Sequence, residues 1–418
     1  MKNEINMGIG FVTGRANVCE IINSYYKEIL DQVKKYEKKV NVTFFILYDI
    51  EYLNTDVNDF YNINLEVYDS RVKIKYITPD NIREERHLIR QRYDLSEEEA
   101  DLIFGHGHAR GRNTLMYYAL KSGIDYLLFW DDDEYPRACL KAEDGTVYWK
   151  KQDNVLKHIE YMEKENADIT IAYHCGYISP IPYMECDEDE KGYVTRFIEA
   201  IGNEFVTWES IKEKFEKDGG ITFAKEDIAN GEGAYEQPAI NGRKYLAGST
   251  LCLNLTHLEK IPAFYNPPGA RGEDTFFSIA LDKDAKVIKI PLYHFHDGFL
   301  KYKEIMQGEE PKKLRVIKSS EKNIEKRFLK ASQGWIKYKP LFMYITDTEN
   351  YDENIKNVYN NLNKSIEEIN NLFDNSNFLV LQDNLKEYDE NVKKHYSDFI
   401  ETNRIWKTIK EHEKKWKK

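Results

Sequence analysis

Cysteine is scarce and unpaired in this chain: five in 418 residues (Cys19, Cys139, Cys175, Cys186, Cys252), an odd count with no C-x-x-C spacing. That excludes a secreted, disulfide-stapled framework, and the five read as reduced thiols. Long apolar runs are missing too, with no window near the 18 apolar residues that span a bilayer. The opening "MKNEINMGIGFVT" lacks the apolar stretch and small-residue cleavage site of a signal peptide, so the expected location is cytoplasmic. Positive charge is in deficit, 60 Lys+Arg against 72 Asp+Glu for a net charge of −12, which disfavours nucleic acid and anionic lipid as partners. No internal repeat or low-complexity segment is visible, and collagenous or disordered readings are out. What is present is ordinary globular material, 41% apolar and 32% charged, long enough for two or three domains. Its 30 Tyr, 20 Phe and 6 Trp serve either a core or the lining of sugar and base pockets.

Short apolar runs alternate with helical patterns over the first 135 residues, which predicts an α/β fold with a mostly parallel sheet. Strands are expected at 7–13, 42–48 and 72–77. Val18, Ile21, Ile22, Tyr25, Tyr26, Ile29, Leu30 and Val33 fall on one helical face. Ser96 with Glu99 forms a capping box. A helix from about Ala109 to Ser122 leads through Gly123 into a strand at 125–130, which ends in Asp131-Asp132-Asp133-Glu134. Asp153 is expected to cap a further helix, followed by a strand at 168–173. Residues 183–243, rich in charge, Gly and Asn, read as an insertion of loops and short helices on the acceptor side of a site. Order resumes at 245–253, a helix at 273–281 and a strand at 286–296. Beyond these the pattern is polar and helical, giving a sheet domain over 1–312 and a helical region over 313–418. The tail 404–418 carries seven Lys/Arg with Trp406 and Trp416 interleaved, and reads as a solvated terminal helix. A weak membrane-surface contact or self-association through these helices is the alternative.

In open α/β sheets, ligands bind beyond the carboxyl ends of the strands, which is where the four acids fall. Adjacent carboxylates repel, and a divalent cation that prefers oxygen relieves the repulsion. On an extended chain Asp131 and Asp133 point one way to share the ion, and Asp132 points the other. An acidic turn that binds nothing is the alternative from sequence alone. Glu273 and Asp274 open a helix after Pro267-Pro268-Gly269, where a plain N-terminal cap accounts equally well for them. His294 and His296, two apart on a strand, project to one face, suited to metal or phosphate contact or to a hydrogen-bonded pair.

The segment "GRNTLMYYALKSGIDYLLFWDDDE" (111–134) resembles the signature of nucleotide-sugar-dependent glycosyltransferases of the GT-A fold, most closely family 2. The matching features are Arg112-Asn113 near a helix start, Ala119, Gly123, and an apolar strand leading into Asp131-x-Asp133. With the later Glu-Asp and His, the resemblance covers roughly residues 7–298. It implies a GT-A domain, Rossmann-like with flanking helices, and a Mn²⁺ or Mg²⁺ ion held by Asp131 and Asp133. It implies Asp274 as the base of an inverting reaction, with Glu273 binding the acceptor. The late histidine of such enzymes falls on His294, and His296 shares its face. Thr13-Gly14-Arg15 and Asp49 are implied at the nucleotide, and Arg112-Asn113 with Asp132 beside the donor. The Gly/His stretch holding His106 and His108 reads as a loop over the donor, with Arg110 near phosphate. The implied activity is transfer of a sugar from a nucleotide-sugar donor to a carbohydrate or other hydroxyl acceptor. The alternatives are a retaining transferase and a non-catalytic binding protein on the same fold. A base at a helix N-terminus is expected to keep a low pKa.

Overall fold

Strand β1 (Glu4–Thr13) turns Met7, Ile9 and Phe11 to one core and Gly8, Gly10 and Val12 to the opposite face, and both faces are covered. This double burial is why the run reads as almost continuously apolar. The computed structural model describes residues 3–70, 72–177, 181–184, 188–202, 207–374 and 376–413, so Cys186 and Trp416 lie outside the described residues. β1 pairs in parallel with β2 (Lys39–Tyr48), β2 pairs in parallel with β3 (Lys73–Ile77), and β4 (Tyr126–Phe129) lies parallel to β1 on its other side. β5 (Ile169–Tyr177) is separated from β4 by β6 (Leu251–Asn254), which runs antiparallel to both. β7 (Val287–His296) pairs in parallel with β5, its register shifting between Lys289 and Tyr293. Pro291, which has no N–H to give the ladder, sits in that shift. The order β3-β2-β1-β4-β6-β5-β7 makes a mostly parallel sheet in a mixed α/β protein, Rossmann-like in arrangement.

Helix α1 (Asn17–Lys34) buries Val18, Ile21, Ile22, Tyr25, Tyr26, Ile29 and Val33 against one face. On the other face lies α2 (His108–Lys121), and it lies close: a Cβ added to Gly10 would stand 2.6 Å from Leu115, and one on Gly111 would stand 2.5 Å from Val12. Glycine at both positions sets the distance between α2 and β1, the two elements that carry much of the site. The Ser96–Glu99 capping box forms, Glu99 N donating to Ser96 Oγ at 3.1 Å and Ser96 N to Glu99 Oε2 at 2.7 Å. Asp153 precedes α3 (Asn154–Lys164) without capping it. Gln32 of α1 takes that role, its Oε1 accepting from Val155 N at 3.0 Å.

The stretch that reads as an insertion of loops and short helices contains α4 (Glu188–Ile201) and α5 (Trp208–Asp218). After α6 (Glu273–Ala280) and β7, the C-terminal region is helical, comprising α7 (Ile324–Thr346), α8 (Tyr351–Asn363), α9 (Val380–Glu390) and α10 (Val392–Glu413). The two regions share one core, in which Val194, Phe197, Ile198, Ile211 and Phe215 pack with Phe328, Ile355, Leu362, Leu381 and Leu385. The tail corrects its sequence reading as a solvated helix. Ile405, Trp406 and Ile409 are buried in the core beneath the sheet, and Trp406 Nε1 donates to Ile261 O at 3.1 Å. Arg404 and Lys407 are exposed, and the charge hid the apolar stripe. Among the described residues no helix is long and apolar enough to cross a membrane.

Candidate active site

A cavity of about 540 Å³ opens at the carboxyl ends of β1, β2 and β4. Thr13, Gly14, Arg15, Asp49, Arg112, Asp131, Asp132, Asp133, Glu273, Asp274 and His296 all line it, so most residues singled out in the sequence meet in one place. Asn113 and His294 do not. Asn113 is fully buried, donating to Phe264 O and accepting from Phe264 N, both at 2.8 Å, which fixes α2 to the loop before α6. His294 is buried two residues deeper on β7 than His296, with Nδ1 3.2 Å from Glu134 Oε2. Arg110 also lies away from the lining, its Nη1 donating to Asp101 O at 3.4 Å.

The acids do not alternate along an extended strand. β4 ends at Phe129 and the chain turns through Asp132 and Asp133, Glu134 N bonding back to Asp131 O at 3.3 Å. The turn sends Asp132 and Asp133 together towards Arg15, whose Nη1 lies 2.6 Å from Asp132 Oδ1 and 3.0 Å from Asp133 Oδ2. Thr13 Oγ1 donates to the other oxygen of Asp132. Asp131 faces Arg112, with Nη2 3.3 Å from Oδ1, and its side chain keeps 44% of its surface exposed in the cavity. Burial and the neighbouring acids Glu134, Asp133 and Asp132 outweigh Arg112 and lift the Asp131 pKa to about 7. Glu134 goes the other way. Burial alone would raise it, but His174 Nε2 at 3.0 Å and His294 Nδ1 at 3.2 Å hold it well below the usual carboxylate range.

Arg112 joins this cluster to the second pair of acids. It donates from Nη1 to Gly248 O at 2.7 Å, and its Nε lies 3.5 Å from Glu273 Oε1. Asp274 accepts from Gly248 N at 3.2 Å and from Thr275 N at 2.8 Å. Gly272, with φ +91°, precedes α6 and directs both acids into the cavity. The expectation of a low pKa for Asp274 fails: burial, then the charge of Glu273, lift it to about 6, against the opposing effect of Arg112. Desolvation outweighs the helix terminus here.

The C-terminal region completes the wall, which the sequence did not reveal. Arg327 of α7 reaches Asp133, Nη2 to Oδ2 at 3.5 Å, and Trp335 and Tyr338 follow along the same helix. Lys214 of α5 and Arg243 arrive from the 183–243 stretch. Helical periodicity in α7 gave no sign of this, because the helix is covered by other helices as well as by the site.

His296 Nε2 lies 4.0 Å from Asp133 Oδ1, while its Nδ1 bonds Tyr177 O at 2.6 Å. Among the described residues no group of three or more His, Cys, Asp and Glu side chains is placed to hold a metal ion by itself.

No protein-family model matches the chain, and no curated protein matches its sequence. One solved structure it is similar to is the mannosyltransferase Ktr4p from S. cerevisiae in complex with GDP. The identity is 11% and the TM-score 0.26, over 62% of this chain and 58% of that one, so the match spans less than two thirds of Ktr4p. A likeness this slight carries no functional conclusion.

Proposed function

We propose that the chain is an inverting glycosyltransferase of the GT-A kind that moves a sugar from a nucleoside-diphosphate donor to a hydroxyl acceptor. One observation carries the reading: a crowded acidic strand end and the Glu273–Asp274 pair share a single cavity, with Arg112 lying between Asp131 and Glu273. The resemblance of residues 111–134 to family 2 supports it. The acceptor oxygen bonds to the anomeric carbon as that carbon's bond to the phosphate oxygen breaks, and the electron pair leaves with the nucleoside diphosphate. The acceptor proton passes to Asp274, whose pKa of about 6 leaves it ionised at neutral pH and basic enough to receive it. Thr13, Gly14 and Arg15, with Asp49 at the end of β2, form the nucleotide end. In this reading Glu273 binds the acceptor.

The donor chemistry fits a hard divalent ion. Asp131 is open to the cavity, and Asp133 and His296 approach within 4.0 Å. With no three-residue cage among the described residues, the remaining ligands would be diphosphate oxygens and water, as is usual for Mg²⁺-type sites. Asp131 and Asp133 would hold Mn²⁺ or Mg²⁺, which when bound would stabilise charge on the departing diphosphate. A thermal-shift panel of nucleotide sugars with and without Mn²⁺ tests the proposal. A nucleotide sugar that raises the melting temperature supports it, and no response across the panel refutes it.

A further inference from the structure

His174 of β5 belongs to no motif in the sequence, yet its ring is fixed on the cavity wall. The side chain is 28% exposed and lines the cavity. Its Nε2 lies 3.0 Å from Glu134 Oε1 and 3.1 Å from Ser249 Oγ. Glu134 is buried, and its other oxygen lies 3.2 Å from Nδ1 of His294, the residue that His174 pairs with across β5 and β7. An ionised carboxylate accepts hydrogen bonds and does not donate them, so the hydrogen of the neutral His174 ring stands on Nε2. That leaves Nδ1 as a lone-pair acceptor, and among the described residues no group donates to it.

Two consecutive residues tie this imidazole to Asp274. Ser249 meets His174, while Gly248 N donates to Asp274 Oδ2 at 3.2 Å and Gly248 O accepts from Arg112 Nη1 at 2.7 Å. Asp274 and His174 thus adjoin neighbouring positions of one segment, and both line the cavity. The segment brings two hydrogen-bond acceptors to the site, a carboxylate and an imidazole nitrogen. A single hydroxyl has one hydrogen to give and satisfies only one of them. A molecule with several hydroxyls serves both, and a ring already held by Glu134 and Ser249 loses little freedom in meeting it.

We propose, resting on the glycosyltransferase reading, that the acceptor is a polyhydroxyl molecule, a saccharide or polyol. Its reacting hydroxyl gives its proton to Asp274, and a second hydroxyl donates a hydrogen bond to His174 Nδ1. An acceptor with one hydroxyl, such as a serine side chain or a simple alcohol, would leave Nδ1 without a donor.

The test follows His174 Nδ1 by nitrogen NMR in protein carrying isotope-labelled histidine and saturated with a nucleoside diphosphate, the signal being assigned by its loss in His174→Gln. The probes are methyl β-D-glucoside, methyl β-D-galactoside, methyl α-D-mannoside and glycerol, with ethanol as the single-hydroxyl control. Nδ1 is expected to carry no proton in the free protein, and its signal should shift with at least one polyhydroxyl probe but not with ethanol. By calorimetry, the probe that binds best should bind about three- to tenfold more weakly to His174→Gln, whose amide can reach Glu134 but leaves the place of Nδ1 empty. His174→Asn, which sets an amide oxygen near that place, should keep more of the affinity. A proton on Nδ1 in the free protein, no shift with any polyhydroxyl probe, an equal shift with ethanol, or an undiminished affinity in His174→Gln each overturns the inference. If no nucleoside diphosphate binds at all, the transferase reading falls, and the same Nδ1 measurements made without nucleotide still decide this one.

Discussion

The guanidinium of Arg112 lies 3.3 Å from the carboxylate of Asp131, and the Arg112 side chain is only 7% exposed. Because the same guanidinium reaches Glu273 and Gly248 O, one cation balances two acids from segments about 140 residues apart. Arg112→Met should therefore cost about 3 kcal/mol of stability at pH 8, the usual result of stranding buried charge. The loss should shrink at pH 5, where Asp131 is protonated in the folded state. Denaturant melts of both proteins at the two pH values check this, and an equal loss at both refutes it.

Asp274→Asn should remove transfer by a factor of about 10² to 10⁴ while leaving donor binding in place. In the unaltered protein, activity should fall as pH drops below about 6, where Asp274 takes up a proton. The stability effect has the opposite sense. The folded state raises this pKa from 3.8, so between pH 4 and 6 it holds more protons than the unfolded chain and loses stability as pH rises. Above pH 6 Asp274→Asn should be more stable by about 1–2 kcal/mol, allowing for the partial exposure of the side chain to the cavity. Full activity in this variant would exclude Asp274 as the base.

Affinity for a nucleoside diphosphate, measured by calorimetry, should rise at least tenfold with Mn²⁺ and fall back on adding chelator. Asp133→Ala should abolish the difference. An affinity indifferent to metal would leave Arg15 and Arg327, already on Asp132 and Asp133, as the groups that meet phosphate.

Trp406→Ala should destabilise the whole protein by about 3–5 kcal/mol, as for other buried aromatic truncations. Its indole is fully buried and bonded to Ile261 O. A melting curve unchanged from that of the unaltered chain would mean the tail contributes nothing to the sheet's core.

The sheet was legible where strands are buried on both faces. β1 and β2 show this as continuous apolar runs, and α1 shows its single stripe at helical spacing. The acidic strand end was legible because charge directly after such a run is conspicuous. The directions of its side chains were not, since they depend on a turn at Asp132 and Asp133 that no local pattern marks. Gln32 capping α3 and Asn113 holding Phe264 are contacts across more than a hundred residues, invisible to any window. His294 and His296 illustrate the limit of two-residue periodicity, which gives the face a side chain projects to but not its depth along the strand. In the tail, Ile405, Trp406 and Ile409 did carry helical spacing, and the run of lysines obscured it.

Arg327, Trp335 and Tyr338 come from the last quarter of the chain, while Thr13 and Arg15 come from its first few residues. During synthesis the earliest and latest parts of the pocket are therefore separated by some three hundred residues of translation. A nascent chain, even with its sheet already folded, has no finished chamber until α7 has left the ribosome.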